Sequence, residues 1–346
     1  MNSSQQNQQI VLAEHPSGVP TLDTFNIEDI AMPTMQADDE VDKVIIKSLY
    51  VSVDPGMRGF MDKGHDDAAG NKFQLNQPIT SRSVAQVIDS QDAKFKAGDI
   101  VHGRFAWQRY QSVSSKDIEK VDATLAPIST AVSMLGVPGL AAYFGLLEVG
   151  DIEAGETVVV SGAAGSVGSI ASQIAKIKGC KVIGIAGSDQ KIAYLKNELG
   201  VDKAINYKTT DDMAAAIQEA CPQGVDVFFD NVGGETFDAV LVNLNRHGRI
   251  AVCGQIAEYN QEQPPIGPRP MHTLIKKSAR MQGFVVFDYS EDFAEAKKQI
   301  AQWYNDGKIR YKEHLIEGFD QLPAAFIGLF SGENIGKLMV KVAEAD

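Results

Sequence analysis

The stretch Ser161-Gly162-Ala163-Ala164-Gly165-Ser166-Val167-Gly168 combines small residues with an apolar run on either side. Residues 157–160, Thr-Val-Val-Val, read as a buried strand, and residues 167–178 read as an amphipathic helix. Val167, Ile170, Ala171, Ile174 and Ala175 fall on one face of that helix. A tight glycine turn between strand and helix points backbone N–H groups at a helix N-terminus, where aligned peptide dipoles favour a pyrophosphate. Measured against the G-x-G-x-x-G pattern, the first glycine is replaced by Ala163. The strand before and the helix after therefore carry the assignment to dinucleotide binding.

The next predicted strand, residues 182–186, leads into Gly187-Ser188-Asp189-Gln190-Lys191. A site for an unphosphorylated dinucleotide places an acid here for the ribose 2′-OH, whereas a 2′-phosphate calls for small and cationic groups. Asp189 stands where a helix-capping or first-turn acid belongs. Ser188 and Lys191, with Tyr207 from the following connection, favour NADP. A solvated helix-surface Lys191 is the alternative reading.

Other chemistry is thinly represented. The sequence has 3 cysteines and 6 histidines. Cys180, Cys221 and Cys253 are widely spaced and far from His15, His65, His102, His247, His272 and His314. No metal-binding spacing, H-E-x-x-H, G-x-S-x-G or phosphate-loop lysine motif occurs. Hydride transfer without a metal must polarise its acceptor by hydrogen bonding. Addition to the β-carbon of an enone gives a delocalised enolate that such a bond can stabilise. The tyrosines to consider are Tyr50, assigned to the wetter face of an alternating strand, and Tyr259, just beyond the Cys253-Gly254 turn. Half-buried packing is the alternative reading for each, and the preferred one for Tyr110, in an aromatic stretch.

The elements that hold these residues follow two patterns. Residues 41–121 suggest short strands with turns at Asp54-Pro55-Gly56, at 76–78 and at Ala97-Gly98-Asp99, as in a small β-barrel or sandwich. Residues 129–147 read as helix, turn, helix, broken at Gly136-Val137-Pro138-Gly139. Strands and helices then alternate: strands at 157–160, 181–186, 225–229 and 249–252, and helices at 167–178, 190–199 and 235–244. That order implies an α/β, doubly wound parallel sheet. A last strand over 281–287, a helix over 293–304 and a short strand over 337–342 follow, the tail rejoining the N-terminal half.

Length and composition agree. A chain of 346 residues with 44% apolar content can close two cores. A net charge of -13 disfavours nucleic acid and anionic membranes as partners. No secretory leader pattern opens the chain and no apolar run reaches the roughly 18 to 20 residues of a bilayer span, so a soluble, cytoplasmic protein is expected.

In order along the chain, Val160 to Gly168, Lys178-Gly179-Cys180-Lys181-Val182, Gly187 to Lys191, Asn206-Tyr207-Lys208, Asp230-Asn231-Val232-Gly233-Gly234, Gln282-Gly283-Phe284-Val285-Val286 and Gly332-Glu333-Asn334-Ile335-Gly336-Lys337 resemble the zinc-independent medium-chain reductases. Within these the similarity is to the prostaglandin reductase and alkenal double-bond reductase group, above all its bacterial curcumin-reductase-like members.

The resemblance spans residues 49–342. It implies a discontinuous GroES-like, mostly β catalytic domain, residues 1–128 with 310–346, and a Rossmann NADP-binding domain, residues 129–309. It further implies a homodimer formed through sheet edges. Gly165, Ser166, Val167 and Gly168 would hold the pyrophosphate, and Ser188, Lys191 and Tyr207 the 2′-phosphate. Asn231, Cys253, Gly254, Phe284, Val286 and Asn334 would line the remaining cofactor. No metal would be bound.

Tyr259 matches the tyrosine that orients the enone oxygen, and Tyr50 a tyrosine of the substrate pocket. The implied reaction is NADPH-dependent reduction of the C=C bond of α,β-unsaturated ketones and aldehydes. A quinone reductase and a non-catalytic NADP-binding sensor are the alternatives. Two departures from the group fall in the substrate half: Gly56 where an aromatic is usual, and Ser81-Arg82-Ser83 in place of a glycine-rich stretch.

Overall fold

The structure is a computed structural model that describes residues 6–36, 40–64, 72–268 and 270–346. His65 and the first five residues lie outside it.

The N-terminal part is β-rich. Strands β1 (Asn7–Leu12) and β2 (Phe25–Ile30) form an antiparallel hairpin. Next come β3 (Lys43–Ser52), a helical turn α1 (Met57–Phe60), β4 (Thr80–Ser90), β5 (Ile100–Ala106), β6 (Tyr110–Ser114) and β7 (Ile118–Lys120).

The middle of the chain alternates. It runs α2 (Val137–Phe144), β8 (Thr157–Val160), α3 (Ser166–Ile177), β9 (Lys181–Ala186), α4 (Asp189–Asn197) and β10 (Lys203–Asn206). It continues with α5 (Met213–Ala220), β11 (Val225–Asp230), α6 (Gly234–Leu241), β12 (Leu244–Val252), α7 (His272–Lys277), β13 (Arg280–Gly283) and α8 (Phe293–Asn305). The tail adds β14 (Glu313–Glu317), α9 (Leu322–Gly328) and β15 (Lys337–Lys341).

Two compact units result. The first comprises residues 1–132, 314–333 and 338–346, and the second residues 133–313 and 334–337. The sequence places the crossings at 128/129 and 309/310 and assigns the whole tail to the first domain. In the structure residues 334–337 instead belong with the second unit.

The first unit holds a seven-stranded sheet in the order β14-β15-β3-β4-β5-β7, with β6 also paired to β3. The strand alternation around Tyr50 does not leave a wetter face. Because β3 pairs with β4, β6 and β15, Ser48 and Ser52 are as buried as Leu49 and Val51. Their hydroxyls find partners inside: Ser48 Oγ donates to the Gln108 carbonyl at 2.6 Å and Ser52 Oγ to Asp54 Oδ2 at 2.5 Å. A core of Ile10, Leu12, Val51, Trp107, Phe319, Phe326 and Val340 draws on both ends of the chain.

The second unit is a six-stranded parallel sheet in the order β10-β9-β8-β11-β12-β13. Strands β8 and β9 are almost wholly buried, as expected of continuous apolar runs covered by helices on both faces.

Two sequence expectations change here. Gly136-Val137-Pro138-Gly139 is not a turn between helices: α2 begins at Val137, with Pro138 in a first turn where its missing N–H costs nothing. A Cβ on Gly139 would sit 1.7 Å from the Met134 carbonyl oxygen, so the start of α2 is packed on backbone. The expected strand over 281–287 ends at Gly283, because Val286 turns inward to join Leu140, Phe144 and Ala296.

Candidate active site

Almost every candidate cofactor residue follows the carboxyl end of a parallel strand, where open α/β sheets bind their ligands. Gly165 to Gly168 follow β8, Ser188 and Lys191 follow β9, and Tyr207 follows β10. Asn231 follows β11, Cys253 and Gly254 follow β12, and Phe284 follows β13. The parallel register thus gathers on one edge of the second unit's sheet residues more than a hundred positions apart.

The glycine turn is tight. Gly162 has φ +57°, the Gly165 N–H donates to the Gly162 carbonyl at 2.9 Å, and Gly165 caps α3. A Cβ on Gly168 would lie 2.3 Å from the Gly162 oxygen and 2.8 Å from Ala163 Cα, so only glycine fits there. Ser166 Oγ is a buried oxygen with no hydrogen-bond partner, on the first residue of α3. An orphaned hydroxyl at a helix N-terminus beside a backbone cradle suits the phosphates of a dinucleotide. Val167 is half-buried against the cluster around Leu140 and Phe144.

Asn334 reaches this turn through its neighbour. The Gly336 N–H donates to the Ala164 carbonyl at 2.8 Å, Gly165 and Gly336 form a parallel bridge, and Asn334 Nδ2 donates to the Gly336 carbonyl at 2.9 Å. Gly336 has φ +73°, and a Cβ there would lie 2.0 Å from the Lys312 oxygen. This strap explains why residues 334–337 belong to the second unit.

At the tip of β9, Ser188 caps α4, accepting from the Lys191 N–H at 3.3 Å. Asp189 is occupied: its Oδ1 accepts from Asn206 Nδ2 at 2.9 Å. The acid that left the cofactor open in the sequence is therefore tied to β10. Gly187 makes room for Tyr207, whose ring and hydroxyl would stand 2.6 to 2.8 Å from a Cβ at that position. Tyr207 remains 44% exposed. Burial, and then the charge of Lys208, pulls the Lys191 ammonium below its ordinary range. Two lysines that repel one another, in a chain of net charge -13, make a local cationic spot that a phosphate dianion would relieve. Sequence reasoning missed Lys208, although its adjacency to Tyr207 was a usable signal.

Beyond β11, an internal network sets Asn231. Ser161 Oγ donates to the buried Asp230 Oδ1 at 2.7 Å and accepts from the Asn231 N–H at 2.8 Å. Asn231 Nδ2 donates to the Ser161 carbonyl at 2.7 Å. Burial raises the Asp230 carboxyl, opposed by donors from Ser161, Val232 and Gly233. The Cys253 and Gly254 N–H groups both donate to the Asp230 carbonyl, at 2.8 and 3.1 Å. Burial, then Asp230, pushes the Cys253 thiol up to about 12, so it is not poised as a nucleophile.

Tyr259 closes on this turn. Its hydroxyl accepts from the Gln255 N–H at 3.1 Å and would stand 3.0 Å from a Cβ on Gly254. Burial raises its pKa, which keeps the phenolic proton in place and available to donate. Phe284 packs at Gly145, where a Cβ would lie 2.6 Å from its ring. Val286, 7% exposed, packs in the cluster of Leu140, Phe144 and Ala296, which Val167, Cys253 and Phe284 also join.

Tyr50 lies in the first unit. It is half-buried against Leu49, Val84, Val132 and Met339, on the rung that pairs with Val84 and Lys341. Among the described residues no three His, Cys, Asp or Glu side chains gather in a way that could hold a metal ion.

A parallel sheet with its glycine turn and polar carboxyl edge, in a chain that also carries a separate antiparallel sheet, defines a dinucleotide-dependent oxidoreductase. Comparison with known proteins narrows the class. Residues 8–121 match the family described as the N-terminal domain of oxidoreductase, and residues 166–302 the family described as zinc-binding dehydrogenase. The putative NADP-dependent oxidoreductase YfmJ of Bacillus subtilis is 50% identical, covering 99% of both chains.

Prostaglandin reductase 1 of Bos taurus is 42% identical, covering 95% of this chain and 97% of its own. The NADP(+)-dependent 2-alkenal reductase of Nicotiana tabacum is 40% identical, covering 97% and 98%. The crystal structure of CurA from Vibrio vulnificus in complex with NADPH superposes with a TM-score of 0.90 at 38% identity, covering 97% of this chain and 99% of that one. The chain belongs to the zinc-independent medium-chain dehydrogenase/reductases, in the group of the prostaglandin, alkenal and curcumin reductases.

Proposed function

We propose that this NADP-dependent oxidoreductase reduces the C=C bond of α,β-unsaturated ketones and aldehydes. The observation that carries the reading is Tyr259: a protonated phenol at the carboxyl end of β12, its oxygen fixed by the Gln255 N–H and its proton left to donate. Such a donor suits an enone oxygen that becomes an enolate. The names of the 2-alkenal reductase and prostaglandin reductase relatives support the same class of substrate.

When bound, NADPH supplies a hydride to the β-carbon; with one proton taken up at the α-carbon, two hydrogens are added across the bond and NADP+ remains. Gly165 to Gly168, with Ser166 Oγ, would cradle the pyrophosphate. Ser188, Lys191 and Tyr207, joined by Lys208, would hold the 2′-phosphate. Asn231, Cys253, Gly254, Phe284, Val286 and Asn334 would line the rest, and Tyr50 would contact the substrate. In this reading the second unit is the nucleotide domain and the first the substrate domain.

A homodimer through β13 belongs to the same proposal. That strand is a sheet edge, exposed along its length; Met281 within it and Val285 just after it are 41% and 59% exposed. Light scattering on the purified chain tests it. No described helix is long and apolar enough to cross a membrane, and a cytoplasmic location is proposed.

The test of the reaction is NADPH oxidation with a panel of 2-alkenals, chalcones, curcumin and 15-keto lipids, with product analysis. Saturated ketones or aldehydes are expected. No turnover on any member, or turnover of quinones alone, would sink the proposal.

A further inference from the structure

The hydrogen bond that fixes the Tyr259 oxygen is local. Residues 255–258 close on themselves, the Glu258 N–H donating to the Gln255 carbonyl at 2.9 Å, and the Tyr259 ring folds back so that its hydroxyl meets the Gln255 N–H. That bond sets the phenol relative to its own turn, not relative to the sheet edge where the cofactor residues gather. Contacts from outside the turn must do the second job. Cys253 and Gly254 are held at the Asp230 carbonyl, the Ile256 and Ala257 N–H groups donate to the carbonyls of Asn231 and Val232 at 3.3 and 3.0 Å, and Glu258 Oε1 accepts from the Gly234 N–H at 3.2 Å. The last of these is made by the side chain next to Tyr259.

The donor at Gly234 is available because of how α6 begins. Its cap, Gly233, has φ +75° and no side chain to offer the first N–H groups of the helix. Asp230 takes two donors of this turn, accepting from the Val232 N–H at 3.0 Å and the Gly233 N–H at 3.1 Å, and Gly234 is left for Glu258. Two carboxylates from different strand ends thus share a helix N-terminus, the end that favours negative charge. A Cβ on Gly233 would lie 3.1 Å from Gln255 Cβ and 3.2 Å from Glu258 Oε1, so the close approach of the two turns depends on glycine at that point. Glu258 is also within electrostatic reach of the phenol: burial first, then Cys253, Asp230 and Glu258, raise the Tyr259 pKa against the opposing Gln255 N–H.

Resting on the enone reading above, we propose that Glu258 is a positioning residue for the reaction: its carboxylate latches the Tyr259 turn to the N-terminus of α6 and holds the phenol at the place from which it donates. In this role Glu258 acts through Tyr259 and not on the acceptor itself. The residues assigned to the pyrophosphate and the 2′-phosphate follow β8, β9 and β10, so loss of the latch loosens the donor and leaves that part of the nucleotide site intact.

The test is steady-state kinetics on an enone with wild type, Glu258→Ala, Glu258→Gln, Tyr259→Phe and the double variant Glu258→Ala/Tyr259→Phe, with an NADPH titration of each. Glu258→Ala should lower kcat about tenfold, the lower end of what a charge-assisted hydrogen bond supports because the Ile256 and Ala257 bonds remain. KM and the NADPH Kd should move by less than about twofold. Glu258→Gln keeps an acceptor oxygen and should recover most of the rate. In the double variant the loss should not exceed that of Tyr259→Phe alone, since the latch acts through the phenol. An additive loss, a fall in NADPH affinity, or full kcat in Glu258→Ala while Tyr259→Phe is slow would overturn the latch and leave the enone reading standing. Fluorine NMR of 3-fluorotyrosine at position 259 decides the matter apart from turnover: the resonance should move toward that of a solvent-exposed tyrosine in Glu258→Ala and stay in place in Glu258→Gln. If no enone is reduced, the reading falls by itself, and an unmoved resonance in Glu258→Ala would then overturn the latch as well.

Discussion

Replacing Lys191 by alanine isolates the 2′-phosphate. Lys191 is half-buried beside Lys208, and a hydrogen bond from an ammonium to a phosphate contributes about 1.5 to 3 kcal/mol. Lys208 and Tyr207 remain in the variant, so the loss should fall in the lower half of that range, about 2 kcal/mol, which is about thirtyfold in Kd. NADH has no 2′-phosphate to lose, so its Kd should move by less than about twofold. Fluorescence titration of both dinucleotides against wild type and Lys191→Ala gives the four constants needed.

The pH dependence sharpens the test. The phosphate dianion takes up a proton near pH 6, so the thirtyfold effect should shrink below that value. Lys191, held below the ordinary lysine range by burial and by Lys208, loses its proton earlier as pH rises. The preference of the wild type for NADPH should therefore decline at a lower alkaline pH than an exposed lysine dictates. Equal losses for NADPH and NADH would refute the assignment.

Four further outcomes follow from the geometry. Gly168→Ala should abolish NADPH binding in a titration, since its Cβ would stand 2.3 Å from the Gly162 oxygen; retained micromolar affinity would contradict the cradle. Tyr259→Phe should lower kcat on an enone by about a hundredfold with the NADPH Kd unchanged, and a fall in NADPH affinity alone would reassign the residue. Alkylation by iodoacetamide at neutral pH should leave activity intact, because burial raises the Cys180 and Cys221 thiols to about 11 and Cys253 to about 12; rapid inactivation would show a reactive thiolate.

Glu156 supplies an acid-side stability effect. Burial raises its pKa, but hydrogen bonds from Arg249 at 2.6 and 2.7 Å and from the Glu153 N–H more than reverse this, leaving it below its ordinary value. The stabilisation is present above the unfolded carboxylate range and is lost as pH falls through the folded value. Arg249→Met should cost at most about 3 kcal/mol at neutral pH and less in acid, measured by urea unfolding; a pH-independent cost would refute the linkage.

The sequence was most legible where burial is symmetric. Strands β8 and β9 are continuous apolar runs bounded by turns, and their ends were placed to the residue. The short β10, Lys-Ala-Ile-Asn at the edge of the sheet, and α5 after it lack a strong period and were not anticipated. The hairpin of β1 and β2 hides behind glutamines: Gln8 and Gln9 look like a polar leader but reach across to Asp29 and Glu28.

At the candidate site, the glycine turn was readable because close backbone approach leaves its mark in residue type, and Asp189 does stand in the first turn of α4, with Ser188 as its cap. What stayed hidden depends on partners distant in sequence. Ser48 and Ser52 looked wet until β3 acquired neighbours on both sides. The strand expected over 281–287 stops at Gly283 because the chain after it turns Val286 into the cluster of Leu140 and Phe144. Lys208 acquires meaning only beside Lys191, and Gly336 only beside Ala164.

The strap at Gly336 bears on how the protein is made. The glycine turn is translated by residue 168, yet the N–H that satisfies the Ala164 carbonyl arrives with residue 336. A ribosome must therefore copy the whole sheet, α8 and the return through α9 before the glycine turn acquires its last backbone partner. Polypeptides released before that point would carry the Ala164 carbonyl without this partner.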